Sequence, residues 1–194
     1  MTGVGSPTVR VVGLDPSLAS FGVATISTNP TSTQITTDQL HTHPDTGIFF
    51  RLDYLHERVL QVTAGADLVV IEGLAFSRVT GMAAERAGLW WLLAHRLWFD
   101  GTPTAVVGPR ARAKYATGNG NSKKPDVVAA MRLRFPRTHL AGNDAADALV
   151  LASMGCRALG QPVDFGVDAK CMASFNAVRW PTQRDRFPIY QEAS

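Results

Sequence analysis

Short apolar runs and longer stretches of helical spacing divide this chain into predicted strands and helices. The first run, residues 9–14, ends in the carboxylate Asp15, and a turn containing Pro16 and Gly22 leads into a second apolar strand. Residues 34–41 alternate weakly, which predicts a third, edge-like strand. The chain therefore opens with three consecutive strands, and the first of them presents a carboxylate beside a turn.

The rest of the chain alternates between helical spacing and two further strands. The run 68–72 is apolar until Glu72, which predicts a central strand that is buried on both faces. The other predicted elements are helices at 47–64, 79–99, 110–117 and 125–135, a fifth strand at 104–107, and a last strong helix that Asn143 caps. These elements predict an α/β domain over residues 1–160, followed by an irregular extension over 161–194.

Charge is distributed unevenly along the chain. Residues 108–139 hold eight Lys and Arg residues against Asp126 alone, in a chain of 194 residues with a formal net charge of +3. Such a segment is usually a solvated face, but its concentration also suggests a polyanionic partner such as nucleic acid. The two cysteines make no disulfide framework, and we find no export signal and no apolar run of membrane-spanning length. We therefore expect a cytoplasmic protein without a membrane association.

Four carboxylates lie at the ends of predicted strands or at the start of a predicted helix, where they could form a site: Asp15, Glu72, Asp144 and Asp147. If strands one and four are parallel neighbours, the first two lie at the edge where such sheets bind ligands. Each has a structural alternative, because a strand-end Asp can accept turn N–H groups and acidic residues favour the first turn of a helix. Glu72 would need a partner, either an arginine such as Arg78 or a metal ion.

Converging carboxylates repel one another unless cations neutralise them. At ~4 Å and an effective dielectric constant near 20, each pair costs about 4 kcal/mol. Ligands that are all oxygen select hard ions, so we expect two Mg²⁺ or Mn²⁺ ions per site. Two such ions about 4 Å apart would clamp the attacking and leaving oxygens of a phosphodiester. The pattern therefore predicts phosphodiester hydrolysis.

Three segments together resemble the RuvC-type Holliday-junction resolvases: GLDPS at 13–17, VIEG at 70–73 and NDAADAL at 143–149. The resemblance covers roughly residues 9–159. It implies an RNase H-like mixed five-stranded sheet with an antiparallel second strand, a homodimer, and paired nicks in opposed strands of a four-way DNA junction. Small residues among the tryptophans of 79–99 predict both packing on the sheet and a dimer seam, on different faces of the same helix.

The resemblance also implies DNA-binding residues. Phe76 is the candidate for an aromatic residue that stacks at the junction centre, although it also fits an apolar core. Lys124 matches a lysine before the last helix best, with Lys123 beside it and Lys114 as a further candidate. The chain departs from the family at Ser17, where a glycine is usual, and Ser17 could tighten the turn or bind phosphate.

Three rival functions share parts of this pattern. Sugar kinases and actin-like ATPases open with a similar strand, turn and strand, but they need a second domain for which 194 residues leave no room. A related nuclease could act on flaps, forks or RNA with the same metal ions. A binding module without activity is disfavoured, because four mutually repelling carboxylates would then serve no purpose.

Overall fold

The computed structural model describes residues 8–74 and 82–182, which form one five-stranded sheet with helices on both faces. The strands are β1 (Val9–Asp15), β2 (Ser20–Asn29), β3 (Ser32–His41), β4 (Leu68–Glu72) and β5 (Thr104–Val107). The helices are α1 (Ile48–Thr63), α2 (Ala83–Phe99), α3 (Pro109–Thr117), α4 (Lys124–Arg134), α5 (Asn143–Ala158) and α6 (Ala169–Asn176). Within these residues, no helix is long and apolar enough to cross a membrane.

The sheet is mixed, with the strand order β3-β2-β1-β4-β5. β1 pairs antiparallel with β2 and parallel with β4, and β4 pairs parallel with β5. The predicted fold, a mixed sheet with an antiparallel second strand, is therefore confirmed. Leu14 of β1 lies opposite Ile71 of β4. The next residues, Asp15 and Glu72, consequently reach the same edge of the sheet, where open α/β sheets bind their ligands.

Side chains of the central strands alternate between two apolar cores. Val70 of β4 joins the core under α3, α4 and α5, whereas Ile71 joins the core under α1 and α2. Both side chains are completely buried. The uninterrupted apolar sequence of β4 follows from this arrangement, because helices cover both faces of the strand.

Two glycines allow α5 to lie directly against the sheet. A Cβ on Gly13 would collide with the backbone carbonyl of Ala148, and a Cβ on Gly22 would collide with that of Asp144. Gly22 is a β2 residue paired with Asp15, so the predicted turn does not extend to it. This close approach sets the first turn of α5 beside the end of β1.

Two helix starts differ from the sequence prediction. Asn143 is the first helical residue of α5 rather than its cap, and the cap is Gly142 with φ of 157°, a value that glycine adopts most easily. α2 begins at Ala83, after Met82 in the left-handed region with φ of 67°. The predicted start of this helix at residue 79 lies outside the described residues.

The segment after residue 160 is more regular than predicted, since it contains α6, which packs against α3. Asp164 anchors it from a buried position, where its carboxylate accepts hydrogen bonds from the Tyr115 hydroxyl and from Arg157 Nη2, both at 2.7 Å. Asp168 caps α6 by accepting the backbone N–H of Cys171 at 2.8 Å. An eight-residue helix is too short to show a clear period in the sequence.

Candidate active site

The carboxyl ends of β1 and β4 meet the first turn of α5 at one edge of the sheet. Carboxylate oxygens of Asp15, Asp144 and Asp147 all lie within 4.8 Å of one another. Asp147 is buried, and the other two aspartates are partly buried. Asp144 and Asp147 reach the site together because residues three apart share a helix face. The structure thus brings together three of the four predicted carboxylates directly.

Glu72 joins the site through an arginine. Arg112 on α3 forms an ion pair from Nε to Glu72 Oε2 and another from Nη1 to Asp147 Oδ1. The Glu72 side chain is 13% exposed and that of Arg112 is 10% exposed. The Glu72 backbone carbonyl accepts a hydrogen bond from Trp90 Nε1 at 2.8 Å, which ties the end of β4 to α2. One buried guanidinium therefore links β4 to α5.

Sequence reasoning missed Arg112 and suggested Arg78 instead, which lies outside the described residues. A signal was present in the helical phase of α3. Arg112 stands three and four residues before Tyr115 and Ala116, and all three are buried. An arginine on the buried face of a helix requires a charged partner, and the strand-end carboxylates are the candidates in this sequence.

Two polar side chains hold Asp144. Lys124, at the start of α4, pairs through Nζ with Asp144 Oδ1 at 2.7 Å. Gln39 of β3 donates from Nε2 to Asp144 Oδ2 at 3.3 Å. Lys124 was predicted as a DNA contact, and the structure adds this carboxylate contact at the rim of the site, where its side chain is 58% exposed. Sequence reasoning did not single out Gln39.

The remaining predicted DNA-binding residues are Lys123, Lys114 and Phe76. Lys123 is exposed directly before Lys124, and its backbone N–H donates to Asp126 Oδ2 at 3.0 Å in the capping box of α4. Lys114 is half-buried on α3. Phe76 lies outside the described residues. Ser17 tightens the turn after β1, where its Oγ accepts the backbone N–H of Ser20 at 3.4 Å.

Burial perturbs two of the carboxyl groups. Burial raises the pKa of Asp15 to about 6, an effect that Arg112 opposes and Asp144 reinforces. Burial and the neighbouring charge of Asp15 raise the pKa of Glu72 to about 7, although Arg112 opposes this shift as well. Such values identify carboxylates that lack sufficient positive charge around them. Perturbed groups in a cluster of this kind are typical of functional sites.

The donor set fits a hard divalent cation. All candidate ligand atoms are carboxylate oxygens, which Mg²⁺ and Mn²⁺ prefer. Asp147 Oδ2 is buried and has no hydrogen-bond partner within the described part of the chain. A buried oxygen without a donor is costly unless a cation satisfies it. The residues of this site are therefore suited to hold such an ion.

The architecture matches that of solved nucleases. The structure of Thermus thermophilus RuvC in complex with a Holliday junction substrate superimposes with a TM-score of 0.63 at 21% sequence identity, and the match covers 79% of this chain and 97% of that one. T. thermophilus RuvC in another solved structure gives the same TM-score at 20% identity. The fold of this chain is therefore the RNase H-like fold.

Curated relatives define the family within this class, although no protein-family model matches the chain. The crossover junction endodeoxyribonuclease RuvC of Rhizobium rhizogenes is 27% identical over 151 residues, covering 75% of this chain and 87% of the relative. The RuvC of Cereibacter sphaeroides is 31% identical over 148 residues, covering 74% and 87%. The chain belongs to the RuvC family of crossover junction endodeoxyribonucleases.

Proposed function

We propose that this protein is a metal-dependent endodeoxyribonuclease that resolves four-way DNA junctions by nicking opposed strands. The observation that carries the proposal is the cluster of Asp15, Asp144 and Asp147 at the edge of the sheet, with Glu72 beside it. The membership of the chain in the RuvC family agrees with it, since the relatives are named crossover junction endodeoxyribonucleases. The structure of T. thermophilus RuvC with a Holliday junction supports the substrate.

The four carboxylates are proposed to hold two Mg²⁺ or Mn²⁺ ions. When bound, such ions stabilise the negative charge that develops on the phosphodiester during hydrolysis. The chain supplies the rest of the site. Asp15 and Glu72 are fixed by the ends of their strands, and Lys124 keeps Asp144 oriented through its 2.7 Å contact. Because α5 packs directly against β1 at Gly13, we expect the carboxylates to be held in place before the substrate binds.

DNA recognition is assigned to the basic segment that contains α3, the loop after it and α4. Lys114, Lys123 and Lys124 are the proposed phosphate contacts in this segment, and Lys124 brings the segment to the carboxylates. Phosphate contacts position a nuclease without reading the base sequence. Stacking by Phe76 at the junction centre remains a prediction. A cytoplasmic location also remains a prediction, and it follows from the proposed DNA substrate.

A homodimer is the proposed functional unit, since a junction has two-fold symmetry and two opposed strands must be cut. The outer face of α2 supports this proposal. Ala84, Gly88, Trp91, Leu92 and Trp98 are exposed on that face. Small residues allow another helix to approach, and exposed aromatic residues are typical of interfaces. The sequence hypothesis of a seam along this helix is compatible with these positions, whereas Ala94 is buried in the protomer.

The decisive experiment compares radiolabelled four-way junctions with flaps, forks and RNA–DNA hybrids as substrates in Mg²⁺. We expect paired nicks in the junction and slower cutting of the other substrates. Asp15→Asn and Glu72→Gln should each reduce cleavage by at least about a hundredfold, because every ~1.4 kcal/mol of lost transition-state stabilisation is a factor of ten. Ca²⁺ should support junction binding without efficient cleavage, since it coordinates more loosely.

A matched control is Asp53→Asn, which removes an exposed carboxylate of α1 and should cleave like the wild type. Preferential cutting of flaps or forks would instead favour the related-nuclease alternative. Wild-type cleavage by both active-site variants, or cleavage in excess chelator, would contradict the proposed site.

A further inference from the structure

Arg112 occupies the position between the two buried carboxylates of the site. Its Nε contacts Glu72 and its Nη1 contacts Asp147, with only a tenth of its side chain exposed. These carboxylates belong to the set proposed to hold the metal ions. The Arg112 guanidinium and a divalent cation would therefore compete for the same carboxylate oxygens. Arginine cannot lose its proton in a protein, so this positive charge is permanent.

The charge balance of the site shows what Arg112 does. The four carboxylates carry four negative charges when ionised, against the two positive charges of Arg112 and Lys124. The remaining charge of −2 is half, in magnitude, of the charge that the two proposed divalent cations would bring. Without Arg112 the same site would carry −3, and a buried cluster of that charge attracts cations more strongly. Arg112 thus takes up charge that metal ions would otherwise neutralise.

Lys124 and Arg112 differ in how readily their side chains can move away from the carboxylates. Lys124 has an exposed side chain that can turn into solvent when a cation arrives. Arg112 is buried, and α3 is held on both sides of it. The Arg112 backbone N–H donates to the Gly108 carbonyl at 3.0 Å, and the Tyr115 hydroxyl on the same helix donates to buried Asp164. The guanidinium must therefore remain close to Glu72 and Asp147 while the ions bind.

We infer that Arg112 is a resident counter-ion that holds Glu72 and Asp147 together in the metal-free protein and lowers the affinity of the site for divalent cations. This role rests on the proposed metal-dependent function. It makes Arg112 a positioning residue, since it acts through the carboxylates. The cation requirement of the enzyme would then be set by an arginine of α3 as well as by the acidic residues.

The test measures Mn²⁺ binding to DNA-free protein by titration calorimetry at pH 8, for the wild type and Arg112→Gln. We expect Arg112→Gln to bind Mn²⁺ about tenfold more tightly, which corresponds to about 1.4 kcal/mol. In chelator the variant should melt at a lower temperature, because two buried carboxylates have lost their partner. Saturating Mn²⁺ should remove most of this difference in melting temperature.

Arg157→Gln is the matched control, since Arg157 pairs with Asp164 from the last turn of α5, whereas Asp144 lies in the first turn of that helix. It should lower the melting temperature in chelator and leave the Mn²⁺ affinity unchanged. Arg112→Lys, which keeps the charge, should fold even if Arg112→Gln does not, and should bind Mn²⁺ within about threefold of the wild type.

Two outcomes separate this inference from the proposed function. Folded wild-type protein that binds no Mn²⁺ at millimolar concentration would refute the metal site itself. Wild-type binding with equal or weaker affinity in Arg112→Gln would refute only the counter-ion role. If Arg112→Gln does not fold, an affinity in Arg112→Lys that is more than tenfold weaker than that of the wild type would likewise refute it.

Discussion

Asp15 and Glu72 illustrate how a residue can be unfavourable for stability and still define a site. Each ends a buried strand, and burial raises the pKa of both carboxyl groups. The cost falls on the ionised forms, which are the forms that bind cations. Arg112 lowers this cost without removing it. The metal-free site is therefore a place where the protein gives up stability for cation binding.

This cost predicts a pH dependence of the metal-free protein. In the unfolded chain Asp15 and Glu72 have their ordinary pKa values of 3.8 and 4.5. In the folded protein burial raises the pKa of Asp15 to about 6 and that of Glu72 to about 7. Between about pH 4 and pH 7 the folded protein thus binds more protons than the unfolded chain. Its free energy of unfolding should fall as the pH rises through this window, by an amount of the order of a few kcal/mol.

Urea denaturation in chelator between pH 4.5 and 8 measures this effect. The double variant Asp15→Asn/Glu72→Gln serves as the reference, because the other titrating groups of the protein contribute equally to both proteins. The double variant should gain stability over the wild type as the pH rises, and Mn²⁺ at pH 8 should stabilise only the wild type. A difference between the two proteins that does not change with pH would contradict the prediction.

At the scale of elements, the contact of α5 with β1 and β2 brings the aspartates together. Gly22 of β2 faces the backbone carbonyl of Asp144, and Gly13 of β1 faces that of Ala148. The first turn of α5 can therefore approach the end of β1 more closely than any side chain would permit. The geometry of the proposed metal ligands depends on two positions that carry no functional group.

We predict that Gly22→Ala impairs cleavage even though it removes no ligand. The new Cβ would force α5 away from β2 and shift Asp144 relative to Asp15. A displacement of about 1 Å commonly costs about a hundredfold in rate. The rate of junction cleavage by the purified variant measures the loss of activity, and circular dichroism checks that the variant remains folded. Gly108→Ala is the control, since a Cβ there meets nothing within 4 Å, and equal activity of the two variants would contradict the prediction.

The sequence predicted the elements well where pattern and packing agree. The apolar run of β4 and its terminal Glu72 led directly to a central strand at the site edge. The helical phase of α3 indicates that Arg112 is buried and needs a charged partner, but which carboxylates it contacts depends on how α3 and α5 sit on the sheet. Sequence reasoning also missed α6, which Asp168 caps and whose eight residues are too few to show a clear apolar period. Contacts distant in sequence leave little trace in one chain.

At the scale of the whole molecule, α2 has one face toward the candidate active site and an opposite face that is exposed. The buried face of α2 packs toward β4, and from that face Trp90 Nε1 donates a hydrogen bond to the Glu72 backbone carbonyl. The opposite face is exposed, with Trp98 and Phe99 among its largest side chains. A partner that packs against this face would thus contact a helix that is itself fastened to the active site. Two protomers related by a two-fold axis there would hold their sites in a fixed relation.

The final prediction concerns this surface and the pairing of nicks. Gly88→Arg adds a bulky charge at an exposed position of α2 where a Cβ meets nothing within 4 Å, so the fold should persist while another helix can no longer approach. Sedimentation should show a dimeric wild type and a monomeric variant. On a plasmid bearing an extruded cruciform, the wild type should yield linear product from paired nicks, whereas the variant should yield slowly formed nicked circles.

Thr36→Arg is the control for the added charge, since it lies exposed on β3 at the far edge of the sheet and should remain dimeric and produce linear plasmid. A paired nick requires both sites to act within one bound complex, so the ratio of linear to nicked product reports assembly independently of the overall cutting rate. If Gly88→Arg is monomeric with DNA bound and still yields linear product at the wild-type ratio, α2 is not the seam that pairs the two sites. If the wild type itself sediments as a monomer on the junction, the two-fold arrangement is wrong.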